Sequence, residues 1–371
     1  MGTKPTMSDA SSLEQRVLIE KLSHRPHYLL NAMIAINIPQ STSAPAASSR
    51  PLPGRISSLG ALDRLSPEIL SMLLDALDFL SLADFARVSY RANDLIHSQR
   101  SYQDLVNFAP QALSALRRAG LIRLHSAAHL HDALRSRQCA TCIEHGAFLF
   151  LPTGERCCWQ CLRDHPSLRM ILPQEAKRYF CLSERDVKRL TTLDVIPGVY
   201  GISANPMPEH LRLVSAQAAA ELGLEIHGST ENLARALTRR FKSNKYLVTG
   251  RFLQSGITMP RHQDLLFMPS QGNIPNDNYF GTASVPFPSL SRYREIDHGL
   301  WCRGCELTVR HYDHARLPQD VLAGIVPLNR QPQRILVGLE RRSRSRESFS
   351  DHMKNCYGAL RLVSELAKTV A

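Results

Sequence analysis

The spacing of the cysteines constrains this 371-residue chain more than any other feature. Cys139-Ala-Thr-Cys142 is followed, after fifteen residues, by Cys158-Trp-Gln-Cys161. Each Cys-x2-Cys knuckle turns two sulfurs toward one centre, and two knuckles build a tetrahedral sulfur cage of the kind that holds structural zinc. Between them the apolar run from Ala147 to Leu151 predicts a strand and Pro152-Thr153-Gly154 a tight turn, so the segment is expected to form a zinc-ribbon-like hairpin. Four sulfur ligands leave no open coordination position, which argues against a catalytic metal. The spacing leaves Cys157 open as an alternative to Cys158, and His145 as an alternative to one of the cysteines.

A second set is spread more widely. Cys302-Arg303-Gly304-Cys305 repeats the knuckle, and after 46 intervening residues His352 and Cys356 stand four apart, on one face of a predicted helix. Three thiolates and one imidazole also make a structural zinc set. Phe349, two turns before Cys356, is placed to pack beneath it. Nine cysteines in all favour metal over disulfides in a reducing compartment, and the chain is read as cytoplasmic, nuclear or both. Cys181 has no recognisable base and is expected to be a buried thiol.

Length allows roughly two to three domains, and a 43% hydrophobic fraction supplies a core. No apolar run approaches the ~20 residues of a membrane span, and Leu29 to Ile38 is too short and lies behind Asp9, Glu14 and Glu20, unlike a signal peptide. The net charge of +12 is spread, with local peaks at Arg239–Lys245 and Arg341–Arg346. That balance admits nucleic acid or an acidic protein as partner. A groove reader interleaves basic and aromatic residues, whereas Phe148 and Phe150 are expected in the hairpin core, so nucleic acid is the weaker expectation. Zinc-deaminase, H-E-x-x-H, G-x-S-x-G and phosphate-loop patterns are all missing from the sequence, and an enzyme is not expected.

Four regions follow from composition. Residues 1–55 are expected to be a disordered or linker segment, with a Ser/Ala/Pro-rich stretch at Ser41–Gly54, although Leu13, Val17, Leu18 and Leu22 have the spacing for a short amphipathic helix. Residues 56–103 form a leucine-dense helical unit, 104–200 a helical region with the four-cysteine knuckle, and 201–371 a helical C-terminal region. Predicted helices include Pro110–Arg118 stopped by Gly120, Ala127–Arg135 after Ser126, one after Ser183 with Asp186 at its third position, Leu211–Leu222 closed by Gly223, and Glu231–Phe241. A terminal helix carries Ala359, Leu360, Val363 and Leu366. Ser255–Pro288, rich in Pro, Gly and Asn, predicts a long surface loop, and Arg334–Leu339 a strand. The expected fold class is mostly α with small β content.

The leucine-dense unit lies at Ala61–His97. Ser66 is placed to cap a helix, Pro67 holds its first position and Glu68 suits its positive end. Ile69, Leu70, Leu73, Leu74 and Leu77 give a wide apolar face. A second helix is expected to start at Ser81 with Asp84 as a capping partner, burying Leu82, Phe85 and Val88, and a third runs from Tyr90 to His97. Three short helices bury little by themselves and would gain from a partner.

The pattern Leu65-x-Pro67-Glu68-Ile69-Leu70, with Leu73 and Leu77, then Leu80-x-x-x-Asp84-Phe85-x-x-Val88-Ser89, resembles the F-box. Followed by the four-cysteine hairpin and the Gly299-Leu300-Trp301-Cys302 segment, the chain is similar to a class of fungal F-box proteins. That resemblance implies a three-helix F-box binding a Skp-type adaptor, and through it a cullin, by way of Leu65, Pro67, Ile69, Leu70, Leu73, Leu77, Phe85 and Val88. It implies a non-catalytic ubiquitin-ligase adaptor whose protein substrate is held by the C-terminal region. Leucine-rich, WD and kelch periods are missing, so no known module identifies that substrate. The alternative expectation is a zinc-dependent nucleic-acid-binding or transcription-related protein.

Overall fold

Many helices among the described residues are short, and several begin where a Ser or Asp side chain takes up the unpaired amides of a first turn. In the computed structural model, which describes residues 7–25, 34–35, 57–200, 205–208, 210–243 and 278–370, Ser66 accepts from the Ile69 amide, Ser89 from Ala92, Ser126 from His129, Ser215 from Ala218 and Ser345 from Ser348. Ser183 and Asp186 form a reciprocal capping box. Gly120 and Gly228 end the Pro110–Arg118 and Ala216–His227 helices with φ of +74° and +77°, a backbone region that costs glycine little.

Helix dominates, and strands are confined to small antiparallel sheets, so the chain is mostly α with small β content. The four-cysteine hairpin pairs Phe148–Phe150 with Glu155–Cys157 across a turn at Gly154, whose φ is +68°. Ser284–Pro286 adds a third strand on the other side of Phe148–Phe150. All three residues of the central strand are buried, which explains their continuous apolar run. A second sheet places Arg212–Ser215 between Met170–Ile171 and Thr192–Asp194.

One apolar core runs from Leu74, Leu82 and Ile96 through Phe148 to Phe287 and Trp301. The helices after residue 56 and the cysteine hairpin therefore share an interior, and residues 103 and 200 are not packing boundaries. A second cluster gathers Ile171, Phe180, Val214, Ala219 and Leu233. The third is built round Cys302, Cys305 and Cys356, with Ile19 and Leu22 packed into it.

That last contact changes the reading of residues 1–55. Met7–Leu22 is helical, and Ser23–His24 pairs with Trp301–Cys302. The N-terminal helix thus packs against the second cysteine set, while Ser41–Gly54 lies outside the described residues. Other segments differ too. The second helix of the Ala61–His97 unit starts at Phe79, because Asp78 rather than Ser81 accepts the Leu80 and Ser81 amides. Leu211–Leu222 is not one helix: Arg212–Ser215 is the centre of a sheet, and the helix then runs from Ala216 through Gly223 to His227. Arg334–Leu339 lies in a helix, Pro332–Glu340, because Pro332 supplies a preformed first turn. Of the expected loop Ser255–Pro288, residues 255–277 lie outside the described residues, while Phe280, Val285 and Phe287 are buried.

An unpredicted carboxylate ties these parts together. Asp104 is completely buried; it accepts from Arg294 Nη2 at 2.7 Å, lies 3.1 Å from His131 Nε2 and 3.6 Å from Arg100 Nε. Without Asp104 the half-exposed Arg294 and Arg100 can turn to solvent, while His131 loses its buried partner. Asp104→Ala is expected to cost about 1–3 kcal/mol, read as a lowered urea midpoint, with Asp104→Asn less damaging. A midpoint unchanged in Asp104→Ala would contradict this.

Candidate metal centres and an exposed helix face

The first cage forms because the two knuckles are brought together by the hairpin. The Cys139 amide donates to the Glu144 carbonyl at 2.8 Å, closing the first turn, and Gln138 bridges His145. The second knuckle is the start of the Trp159–Asp164 helix, whose cap is Cys158: its sulfur accepts from the Cys161 amide at 3.3 Å. Cys139, Cys142, Cys158 and Cys161 each offer a sulfur within 4.8 Å of the others, an arrangement able to bind a metal ion.

The geometry decides between the alternatives left by spacing. Cys157 is in the strand, in register with Phe148, and is buried in the core, which pushes its thiol well above the usual range. Strand alternation sends the next residue, Cys158, the other way, into the cage. His145 is not among the clustered ligand atoms; its Nδ1 lies 3.2 Å from Ser343 Oγ instead.

Without a cation the four thiols cannot share negative charge. Hydrogen bonds from Cys158 and Cys161 hold Cys139 far below the ordinary thiol range, while Cys161 is pushed up to about 12, chiefly by its bond to Cys139. Cys158 is displaced upward by its bonds to Cys139 and Cys161. One thiolate is favoured and the others resist ionisation, so a cage of four thiolates needs a compensating cation.

The second set converges although 46 residues separate its halves. Cys302, Cys305, His352 and Cys356 also offer ligand atoms within 4.8 Å of one another. Cys305 Sγ is 3.2 Å from His352 Nε2, and Cys356 Sγ is 3.9 Å from both Cys302 and Cys305. Bonds from Cys302 and Cys305 lower Cys356 to about 3. Phe349 is fully buried beside the set, with its ring 6.4 Å from that of His352. The Arg303–Asp313 and Tyr357–Val370 helices cross backbone to backbone here, since a methyl on Gly358 would overlap the Gly304 carbonyl. That close approach brings Cys356 to the knuckle, and sequence periodicity gave no sign of it.

Sequence reasoning also missed Arg156. It is 2% exposed and packs on the Phe287 ring at 4.8 Å. Its Nε donates to the Ala133 carbonyl at 3.1 Å and its Nη1 to Phe287 at 2.8 Å, with further bonds to the carbonyls of Gly146 and Pro288. Burial brings its pKa down to about 10. Nothing in the composition marks one arginine among many as internal.

The eight residues matched to the F-box separate by burial. Leu65, Pro67, Ile69, Leu73, Leu77 and Val88 are exposed, whereas Leu70 is buried and Phe85 half-buried against the core. Leu70 is thus an anchor rather than a surface residue. Met72, unremarked in the sequence, is 69% exposed and extends the stripe of Leu65, Ile69 and Leu73 along the Pro67–Ala76 helix. Its position three residues after Ile69 was the available signal. Compared with known proteins, the chain matches no family model, no curated protein and no solved structure. Among the described residues, no helix is long and apolar enough to cross a membrane.

Proposed function

We propose that the chain is a substrate-recognition adaptor of a Skp/cullin/F-box ubiquitin ligase, with structural zinc in both cysteine sets. The observation that carries this reading is the exposed apolar stripe of Leu65, Ile69, Met72, Leu73 and Leu77. The same helix is fixed to the core on its other side by Leu70 and Leu74. A rigid helix with one anchored face and one uncovered apolar face is a docking element. The donor sets, four thiolates and three thiolates with one imidazole, suit zinc held for structure. The metal would brace the region that presents the substrate.

The full chain is expected to co-purify with a Skp adaptor, and Ile69→Asp with Leu73→Asp to abolish this. Central apolar residues of an interface are each worth about 2 kcal/mol or more, so the pair should weaken binding by well over 30-fold. Both side chains are exposed, so melting should move little. Leu70→Asp should instead unfold the unit. Adaptor binding undiminished in Ile69→Asp/Leu73→Asp would sink the reading.

A further inference from the structure

Residues 341–345 run between the two cysteine sets and bond to both. Toward the first set, Arg342 Nε donates to Glu144 Oε2 at 2.6 Å, and its Nη2 engages the same carboxylate. The Glu144 carbonyl in turn closes the first knuckle by accepting the Cys139 amide. Ser343 Oγ donates to the His145 carbonyl at 3.3 Å and lies 3.2 Å from His145 Nδ1. Toward the second set, Arg344 is 5% exposed; its Nη2 donates to Cys305 Sγ at 3.9 Å and its Nη1 to the Arg342 carbonyl at 3.0 Å. Its backbone exchanges two hydrogen bonds with Leu300, two residues before Cys302, and the Arg341 carbonyl accepts from Trp301 Nε1. Gly299 closes the joint. A methyl there would lie 2.9 Å from the His145 ring and 3.1 Å from Ser343 Cβ, and its φ of +80° favours glycine.

We propose that residues 341–345 form a shared outer shell through which the two metal centres are coupled, so that filling one set raises the metal affinity of the other. The inference rests on the reading that both sets hold zinc. Thiolates converge only against charge repulsion, so metal binding carries the ordering of the chain around each set. Part of that chain is common to both. The segment that fixes Glu144 and His145 also fixes Cys305 and the approach of Leu300 to Cys302. The first ion supplies the free energy that orders it, and the second meets a segment already in place. Charge acts in the same direction. Three thiolates and an imidazole round a divalent cation keep a net negative charge, which the buried Arg344 guanidinium offsets through its bond to Cys305. The filled set holds Arg344 in the interior, and Arg344 holds the segment that braces the first knuckle. Linkage makes the coupling equal in both directions.

The test is titration of the full chain with zinc and with cobalt(II) against a competing chelator. Cobalt separates the sets, because its absorption differs between an all-sulfur site and one that includes an imidazole. Cys302→Ser/His352→Ala should weaken metal binding at the first set at least about ten-fold, about 1.4 kcal/mol, although it touches none of that set's ligands. In an Arg342→Gln/Arg344→Gln background the same two replacements should change first-set affinity by no more than about two-fold, the range within which independent sites add. Gly299→Ala and Ser343→Ala, which alter no charge and no ligand, should reduce the coupling in the same way. Ser343→Ala, the mildest of these changes, decides where a larger one fails to fold. A first-set affinity unmoved by loss of the second set overturns the proposal. Coupling that persists at full size in the segment variants overturns the assignment to residues 341–345. A chain that binds no metal rejects the zinc reading and the proposal with it, whereas two sets that fill independently reject the coupling alone.

Discussion

Purified protein is expected to carry two zinc ions per chain, one for each ligand set, and Cys158→Ser to carry one and to unfold around the hairpin. The paired control is Cys157→Ser, which should keep both ions. Its thiol sits in the strand facing the core, so its loss costs only some packing. The contrast between adjacent cysteines is sharp because a metal cage contributes on the order of 10 kcal/mol to a small fold, whereas a buried polar replacement costs a few kcal/mol at most. Cys302→Ser with His352→Ala should likewise remove one ion, and loosen the N-terminal helix that packs Ile19 and Leu22 on that set. Elemental analysis with a melting curve reads all three variants. Zinc lost from Cys157→Ser and retained in Cys158→Ser would overturn the ligand assignment.

Replacing Arg156 should be among the more damaging changes outside the cages. Arg156→Leu leaves the carbonyls of Ala133, Gly146, Phe287 and Pro288 without their donor. Buried acceptors so stranded cost about 1–3 kcal/mol each, and partial relaxation brings the total to about 3–5 kcal/mol. Arg156→Lys should recover little, because one ammonium cannot span four acceptors spread round a planar fork. Urea denaturation at saturating zinc separates this loss from metal loss. A midpoint within about 0.5 kcal/mol of the parent, the range of surface substitutions, would show that the carbonyls find other partners.

How far the residues announced this arrangement depends on the range of the interaction. Local signals were legible. Ser126, Ser183 and Pro110 set their helices as expected, since capping acts over three or four residues. The Phe148–Phe150 hairpin followed from its turn and its apolar run. Where a local signal competed with a distant partner, the distant partner won. Leu213 and Val214, compatible with a helix, became a central strand because Met170–Ile171 and Thr192–Asp194 flank them. Phe280 and Phe287, set among loop-forming residues, were drawn into the core beside the hairpin.

The same division holds for the sites. Sequence alone determined the donor types, the knuckles and the apolar helix after Pro67, because ligand chemistry and one-turn spacing are properties of neighbouring residues. Tertiary structure alone decided that Cys158 and not Cys157 enters the cage, because that depends on which way a strand residue points. It decided that His352 and Cys356 meet Cys302 and Cys305, because two glycines let their helices cross in contact. It also divided the apolar residues of the Pro67–Ala76 helix into Leu70 and Leu74, which hold it, and Ile69, Met72 and Leu73, which it presents. An apolar stripe has the same periodicity whether it faces a core or a partner, and only the packing of the rest of the chain separates the two.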